Sequence, residues 1–246
     1  MLANESGPKV VILTGAGISA ESGLSTFRGP DGLWAGERAE AVATPAGFAA
    51  DSARVQRFYN RLRRQLCEVS PNPAHEALVR LEHHLGSRLH VVTQNIDDLH
   101  QRAGSTRLTA MHGELRKIRN IETGEVVGWS HDVKESETAW RPHVVWFGER
   151  TIGLDLVVEK LATATIFVAI GTSGTVYPAS RFVEIAKASG ATTVEVNTTE
   201  TGGAGFDCAW TGPAANLVPE LVDQIVATGT ISPPRRPGSH VCVVEH

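Results

Sequence analysis

The sequence predicts an α/β fold: a parallel sheet with helices on both faces, carrying a smaller inserted domain. Three observations point there. Short runs rich in Val, Ile and Leu recur at residues 9–14, 89–93, 165–170 and 192–197, each the length of a buried strand. Stretches of helical length at 51–68, 74–85, 154–164, 178–189 and 215–227 alternate with them, and such alternation builds a Rossmann-like parallel sheet. The residues just after the strands are Gly, Asn, Thr and Ser, and ligands of open α/β sheets cross that carboxyl edge.

In chain order, residues 1–8 are polar and the first strand follows. Gly15, Gly17 and Ala20 then stand in G-x-G-x-x-A spacing. Gly15 allows a sharp turn, Gly17 a close backbone approach, and a helix starting near Ile18 would aim free N–H groups at a pyrophosphate. The same spacing also suits a plain strand-to-helix turn. Ser19, Ser22, Phe27 and Arg28 lie in a polar loop, and no acidic residue closes a second strand about 20 positions on, as a simple dinucleotide site requires. Residues 29–50 read as a loop over the site. Asp51 caps a helix to 68 whose apolar stripe is Val55, Phe58, Leu62 and Leu66. Pro71 and Pro73 end it, and the next helix, 74–85, stops at Gly86.

Strand 89–93 delivers Gln94, Asn95, Ile96 and Asp97 to its tip. His112, one of 10 histidines, is singled out only by its MHGE setting. Residues 115–129 read as a hairpin with a Gly-containing turn. The run 142–149 is expected to return to the main sheet. Its exposed edge would pair with an extended peptide. A Gly/Thr/Ser loop follows the strand at 165–170, Asn197 ends another strand, and Gly212, Pro213 and Ala214 precede the last helix. Residues 231–246 form a Pro-rich tail.

At 246 residues the chain suits one large or one-and-a-half domains. It carries 23 basic and 27 acidic residues, net −4, without a basic block, which argues against direct nucleic-acid binding. No apolar run reaches the roughly 18–20 residues that span a bilayer, and the N-terminus lacks a signal-peptide shape. Cys67, Cys208 and Cys242 are far apart and odd in number, as reduced thiols of a cytoplasmic protein are.

The segments GAGISAESGLSTFRG, TQNIDDLHQRAG, MHGE, PHVVWFGE and GTSGTVYPAS, taken together and in this order, resemble the sirtuins, NAD-dependent protein-lysine deacylases. The likeness runs from Lys9 to Val226, and TFRG with Tyr59 resembles the bacterial and mitochondrial desuccinylase-type branch. The resemblance implies that NAD is held by Gly15, Ala16, Gly17, Ile18, Ser19, Ser22, Thr26, Phe27, Arg28, Trp34, Gln94, Asn95, Ile96, Asp97, Gly171, Thr172, Ser173, Asn197, Thr198 and Ala214. Within that set Phe27 shields the reacting ribose, Asn95 and Asp97 meet the nicotinamide amide, and Asn197 holds the adenosine ribose. It implies His112 as general base, with Asn95 also catalytic. Val145, Trp146, Phe147 and Gly148 would form the acyl-lysine channel. The acyl oxygen attacks the ribose carbon that bears nicotinamide, and the products are nicotinamide, free lysine and O-acyl-ADP-ribose. Acylated lysine peptides are the implied partners. The implied NAD-binding domain comprises residues 1–28, 76–114 and 143–230, with 29–75 and 115–142 forming the small domain.

Two departures stand out. Sirtuins usually hold the insert with a zinc on two Cys pairs, but no Cys lies between Cys67 and Cys208. We expect an insert without zinc, held by packing of Trp129 and Trp140 and the least stable part of the fold. The desuccinylase branch carries an Arg three residues after its Tyr, where this chain has Leu62. Arg63, one position on, shares the helical face of Tyr59 and is the candidate substitute. The expectation is deacetylation with weakened desuccinylation. An NAD hydrolase or ADP-ribosyltransferase, and a non-catalytic NAD sensor, are the alternative classes.

Overall fold

The computed structural model describes residues 7–26, 36–174, 176–201 and 205–233. Strand β1 (Val10–Thr14) is buried at all five positions. It leads into a single-turn helix α1 (Gly17–Ala20), shorter than the glycine spacing suggested. The stretch expected to be loop contains two short helices, α2 (Ala39–Val42) and α3 (Pro45–Ala50). Thr44 makes α3 possible: its hydroxyl accepts from the Gly47 amide at 2.9 Å, ahead of a proline whose φ is already helical. Helix α4 (Ser52–Glu68) is capped by Asp51 as expected, and Val55, Phe58, Leu62 and Leu66 are all buried. Helix α5 (Pro73–Leu85) is capped by Asn72 and ends at Gly86, φ +58°.

Strand β2 (Leu89–Thr93), helix α6 (Leu99–Ala103) and strand β3 (Leu108–Ala110) follow. Then come β4 (Gly113–Asn120), β5 (Val126–Gly128) and β6 (Trp140–Val144). The chain continues through α7 (Leu154–Leu161), β7 (Ile166–Ile170), α8 (Phe182–Ala188) and β8 (Thr192–Asn197). It closes with β9 (Cys208–Thr211) and α9 (Ala214–Thr228). The residues of the helix expected at 178–189 are a 3-10 turn at 179–181 followed by α8. Strand β9 was not anticipated: its CAWT core is too short for a periodic signal, and Trp210 is fixed by burial against the sheet.

Among the described residues six strands form one sheet in the order β3-β2-β1-β7-β8-β9, every pair parallel. Side chains alternate across it. Val10, Ile12, Val168 and Val194 pack with α5 and α9, while Val11, Leu13 and Phe167 pack with α7 and α8. This is the expected Rossmann-like sheet covered on both faces.

The second sheet is antiparallel, in the order β5-β4-β6. Here two expectations are corrected. The 142–149 segment does not return to the main sheet: β6 pairs with β4, Gly113 opposite Val144, so the boundary expected at residue 143 falls inside a strand of the small sheet. Trp146 just beyond it belongs to a third core with Val42, Phe48, Tyr59, Leu62 and Leu115. Nor does Trp129 hold the insert by packing. Trp129 is 37% exposed, with its ring edge to face with His131, and the insert is fastened by polar side chains of α4. No helix among the described residues is long and apolar enough to cross a membrane.

Candidate functional site

The parallel register aligns Thr14, Thr93 and Ile170 at one edge, so the segments after β1, β2 and β7 meet there. The Gly15 amide donates to the Ile170 carbonyl at 2.9 Å and the Gly17 amide to the Gly171 carbonyl at 2.8 Å. A Cβ on Gly17 would stand 2.6 Å from the Gly171 Cα, so the two turns touch backbone to backbone. This contact consumes donors. Ile18 and Ser19 amides bond the Gly15 and Ala16 carbonyls, so the N–H groups at 17, 18 and 19 face the protein rather than a pyrophosphate. That corrects the expected array of free amides.

The β2 tip supplies the polar cluster. Ser19 Oγ donates to Asp97 Oδ2 at 2.9 Å, and Asn95 Nδ2 donates to the Gly15 carbonyl at 3.1 Å and to Ser19 Oγ at 3.2 Å. The Leu99 amide donates to Asp97 Oδ1. Burial pushes the Asp97 carboxyl above the usual range, and the Leu99 and Ser19 donors oppose that. Asn95 Oδ1 is buried without a partner among the described residues, an acceptor held ready at a strand tip. A cavity of about 50 Å³ runs from Ala16, Ser19, Asn95, Ile96 and Asp97 to Leu62, Gln65 and Leu66 of α4.

Gln94 joins the neighbouring tips. Its amide bonds the Thr14 carbonyl, its Oε1 accepts from Thr172 Oγ1 at 2.7 Å, and its carbonyl lies 2.8 Å from His112 Nδ1. A carbonyl only accepts, so Nδ1 carries the proton and Nε2 keeps the lone pair. Burial holds the His112 pKa below the ordinary value, with the Gln94 carbonyl opposing, so the imidazole is neutral at pH 7. On the other side of the edge, Asn197 Nδ2 donates to the Thr172 carbonyl and its Oδ1 accepts from the Thr198 amide. Ala214 opens α9 beside a Glu21 carboxylate that bonds the Ala215 amide. Ser22 accepts from Asn72, and Thr26 and Ser173 sit in the same loops. Phe27, Arg28 and Trp34 lie outside the described residues.

Next to His112, the Val145 amide donates to the His112 carbonyl and the Phe147 amide to the Ala43 carbonyl. Trp146 is only 2% exposed, whereas Phe147 is 61% exposed and Gly148 turns the chain at φ +87°. Trp146 is therefore a core side chain rather than an exposed rim. Its indole N–H donates to the Tyr59 hydroxyl at 2.8 Å, and the Arg141 guanidinium stacks 3.4 Å above its ring. Arg141 also makes a two-pronged bond to Glu149, which accepts from the Trp146 amide. Burial raises the Glu149 pKa, but Arg141 and that amide outweigh it and hold the carboxyl below its usual range. Tyr59 and Arg63 do not form a carboxylate pair. Arg63 is buried, with Nε on the Leu115 carbonyl and Nη1 on Asn60 Oδ1. The α4 residues lining the cavity are Leu62, Gln65 and Leu66.

The Sir2 family model matches residues 15–178, two thirds of the chain. The chain belongs to the Sir2 family. Curated relatives agree with that assignment. A protein of Escherichia coli (strain K12) named NAD-dependent protein deacylase is 51% identical over 230 residues, covering 89% of this chain and 82% of that protein. One of Salmonella typhimurium with the same name is 50% identical over 89% of this chain and 84% of its own length. Among solved structures, a Sir2 homologue in complex with NAD superposes with TM-score 0.83 at 35% identity, covering 92% of each chain.

Sir2 proteins as a family imply a zinc in the insert, and this Sir2 chain does not fit one. Its three cysteines all lie outside residues 115–142, and no group of three or more His, Cys, Asp or Glu among the described residues could hold a metal. Sequence reasoning missed Asn72, whose side chain latches α5 onto the Ile18 carbonyl at 2.8 Å. In the sequence it reads only as a helix cap. It also missed the Arg141–Glu149 pair, which are 8 residues apart and carry no periodic signature.

Proposed function

We infer that this Sir2-family chain is an NAD-dependent protein-lysine deacylase. The observation that carries the reading is His112: its Nδ1 proton is committed to the carbonyl of Gln94, which leads directly into Asn95 of the Ser19–Asn95–Asp97 cluster, and its Nε2 keeps the lone pair. NAD is the co-substrate, and the acyl-lysine oxygen displaces nicotinamide from its ribose. Asn95, with an unpartnered buried Oδ1, and Asp97 meet the nicotinamide amide. Gln94, bridged to Thr172 and thence to Asn197, spaces the two ribose sites. His112 Nε2 takes the proton from a ribose hydroxyl, which then attacks the imidate carbon. Water completes transfer of the acyl group to ADP-ribose. The burial around His112 excludes competing water until the imidate has formed.

Acylated lysine peptides are the substrates, added along the 145–148 segment with Phe147 exposed beside it. The acyl group taken best is a neutral one. Leu62 stands at the cavity, and Arg63, 1% exposed and bonded to the Leu115 carbonyl and Asn60, is not among the residues lining it, so no guanidinium of that lining meets a succinyl carboxylate. Succinyl-lysine is therefore cleaved more slowly than acetyl-lysine, and kcat/KM for the two peptides measures this directly. Equal or higher succinyl efficiency removes the argument. Incubation with NAD, with and without acetyl-peptide, tests the activity itself. Nicotinamide should appear only with peptide. Release without peptide points to an NAD hydrolase, and binding without turnover to a sensor.

A further inference from the structure

The insert is organised from α4. Gln56, Asn60 and Arg63 fall at i, i+4 and i+7, one face of the helix beside its apolar stripe. Gln56 Nε2 donates to the Trp140 carbonyl at 2.7 Å and to the Glu137 carbonyl at 3.2 Å. Asn60 behaves as a strand neighbour would: its Nδ2 donates to the Val133 carbonyl at 2.8 Å, and its Oδ1 accepts from the Val133 amide at 2.9 Å. The same Oδ1 accepts from Arg63 Nη1 at 2.7 Å. Arg63 is 1% exposed, and no carboxylate among the described residues lies in salt-bridge range of it. A guanidinium buried without a counter-ion is costly, and Nη2 has no partner among the described residues, so the bonds of Nε and Nη1 carry its placement. One of them is the Leu115 carbonyl at 2.9 Å. The Leu115 amide in turn donates to the Ile96 carbonyl at 2.8 Å, between Asn95 and Asp97. A continuous line of hydrogen bonds thus runs from the insert loop at Val133 to the centre of the nicotinamide loop. The exposed pairs Arg57–Glu135 and Arg64–Asp132 lie alongside and contribute little.

We propose that Asn60 and Arg63 form a metal-free brace that folds the insert in place of zinc and positions residues 95–97 for nicotinamide. Both are positioning residues: Arg63 acts through Leu115 and Ile96, not by touching substrate. The proposal rests on the NAD-dependent reading above for its nicotinamide arm alone.

The test uses the full chain. The wild-type protein, treated with EDTA and analysed for metal, should be metal-free and retain its deacetylation rate. Stoichiometric zinc whose removal abolishes activity overturns the brace. In hydrogen exchange without NAD, Asn60→Ala should speed amides at 115–140 and at 95–98 together, and unchanged protection at 95–98 overturns the connection. Arg63→Met should raise the nicotinamide concentration for half-inhibition about tenfold, with the acetyl-peptide KM within about twofold of wild type. Arg63→Lys, which keeps the charge, should recover part of that loss and decides the matter if Arg63→Met does not fold. A fold-neutral Arg63 variant with wild-type nicotinamide inhibition refutes positioning, as does a parallel rise in peptide KM. An inactive wild type would end the deacylase reading but leave the exchange and metal measurements decisive for the brace.

Discussion

Replacing Gly17 by alanine tests the meeting of the two strand-tip turns. A Cβ there would lie 2.6 Å from the Gly171 Cα and 2.9 Å from its carbonyl oxygen, against 3.4 Å where ordinary contact begins. The obstacle is backbone, so no side-chain rotation relieves it. Gly171 is itself held at φ +60° and bonded to the Val196 carbonyl, so it does not retreat freely. One turn must move by close to 1 Å, and a misplacement of about 1 Å can cost roughly 100-fold in rate. Overpacking of this kind costs about 1–3 kcal/mol in stability. For a chain of this size that lowers the melting temperature by about 2–4 °C per kcal/mol. Steady-state kinetics with NAD varied at saturating acetyl-peptide should show kcat/KM for NAD down about 100-fold, with the peptide KM little changed. A Gly17→Ala enzyme with wild-type NAD kinetics would refute the backbone contact as an organiser of the nucleotide site.

Four further outcomes follow from the geometry. His112→Asn should lower deacetylation by about 10²–10⁴-fold, the usual worth of a general base, and a drop below tenfold would remove its role. Because burial lowers its pKa, the acid limb of the pH–rate profile should fall below pH 6.5, and a limb above that value contradicts the neutral buried imidazole. His75 and His100 meet edge to face and are pushed down by burial to about 4 and about 3, from 6.5. Between pH 6.5 and those values the unfolded chain binds more protons at both positions, so stability falls as pH falls, by about 1.4 kcal/mol per histidine per unit. Urea unfolding at pH 7 and pH 5 should show this loss and roughly half of it in His75→Gln, and equal loss in both proteins would exclude the pair as its source. Trp146→Phe strips the donor from the buried Tyr59 hydroxyl and should cost about 1–3 kcal/mol in thermal unfolding. An unchanged melting temperature would show that hydroxyl to be satisfied elsewhere.

Much of this was legible in the sequence where a single physical rule decides. The five-residue buried run at 10–14, the Asp51 cap and the stripe of Val55, Phe58, Leu62 and Leu66 all stand where periodicity put them. The polar strand tip at 94–97 was likewise visible, because three polar residues directly after an apolar strand have few structural uses. What was hidden depends on partners distant in the chain. Leu115 and Ile96 are joined by one amide, and Asn60 finds Val133 across 73 residues, so neither link leaves a local signal. Arg63 shows the limit of helical spacing. The i+4 argument placed it on the face of Tyr59, yet the carbonyl of Leu115 turned it inward. The same holds for 142–149, whose apolar run fits either sheet until the pairing of β6 with β4 decides it.

The central claim is that the peptide's own acyl oxygen attacks the nicotinamide ribose and that water enters only afterwards. Turnover of acetyl-peptide with NAD in ¹⁸O-water, followed by fragmentation of the ADP-ribose product, measures this directly. The label should appear in the acetyl group of O-acetyl-ADP-ribose and be absent from the anomeric ribose oxygen. Label on the anomeric oxygen, or in free acetate alone, would mean that water attacks first and would contradict the account.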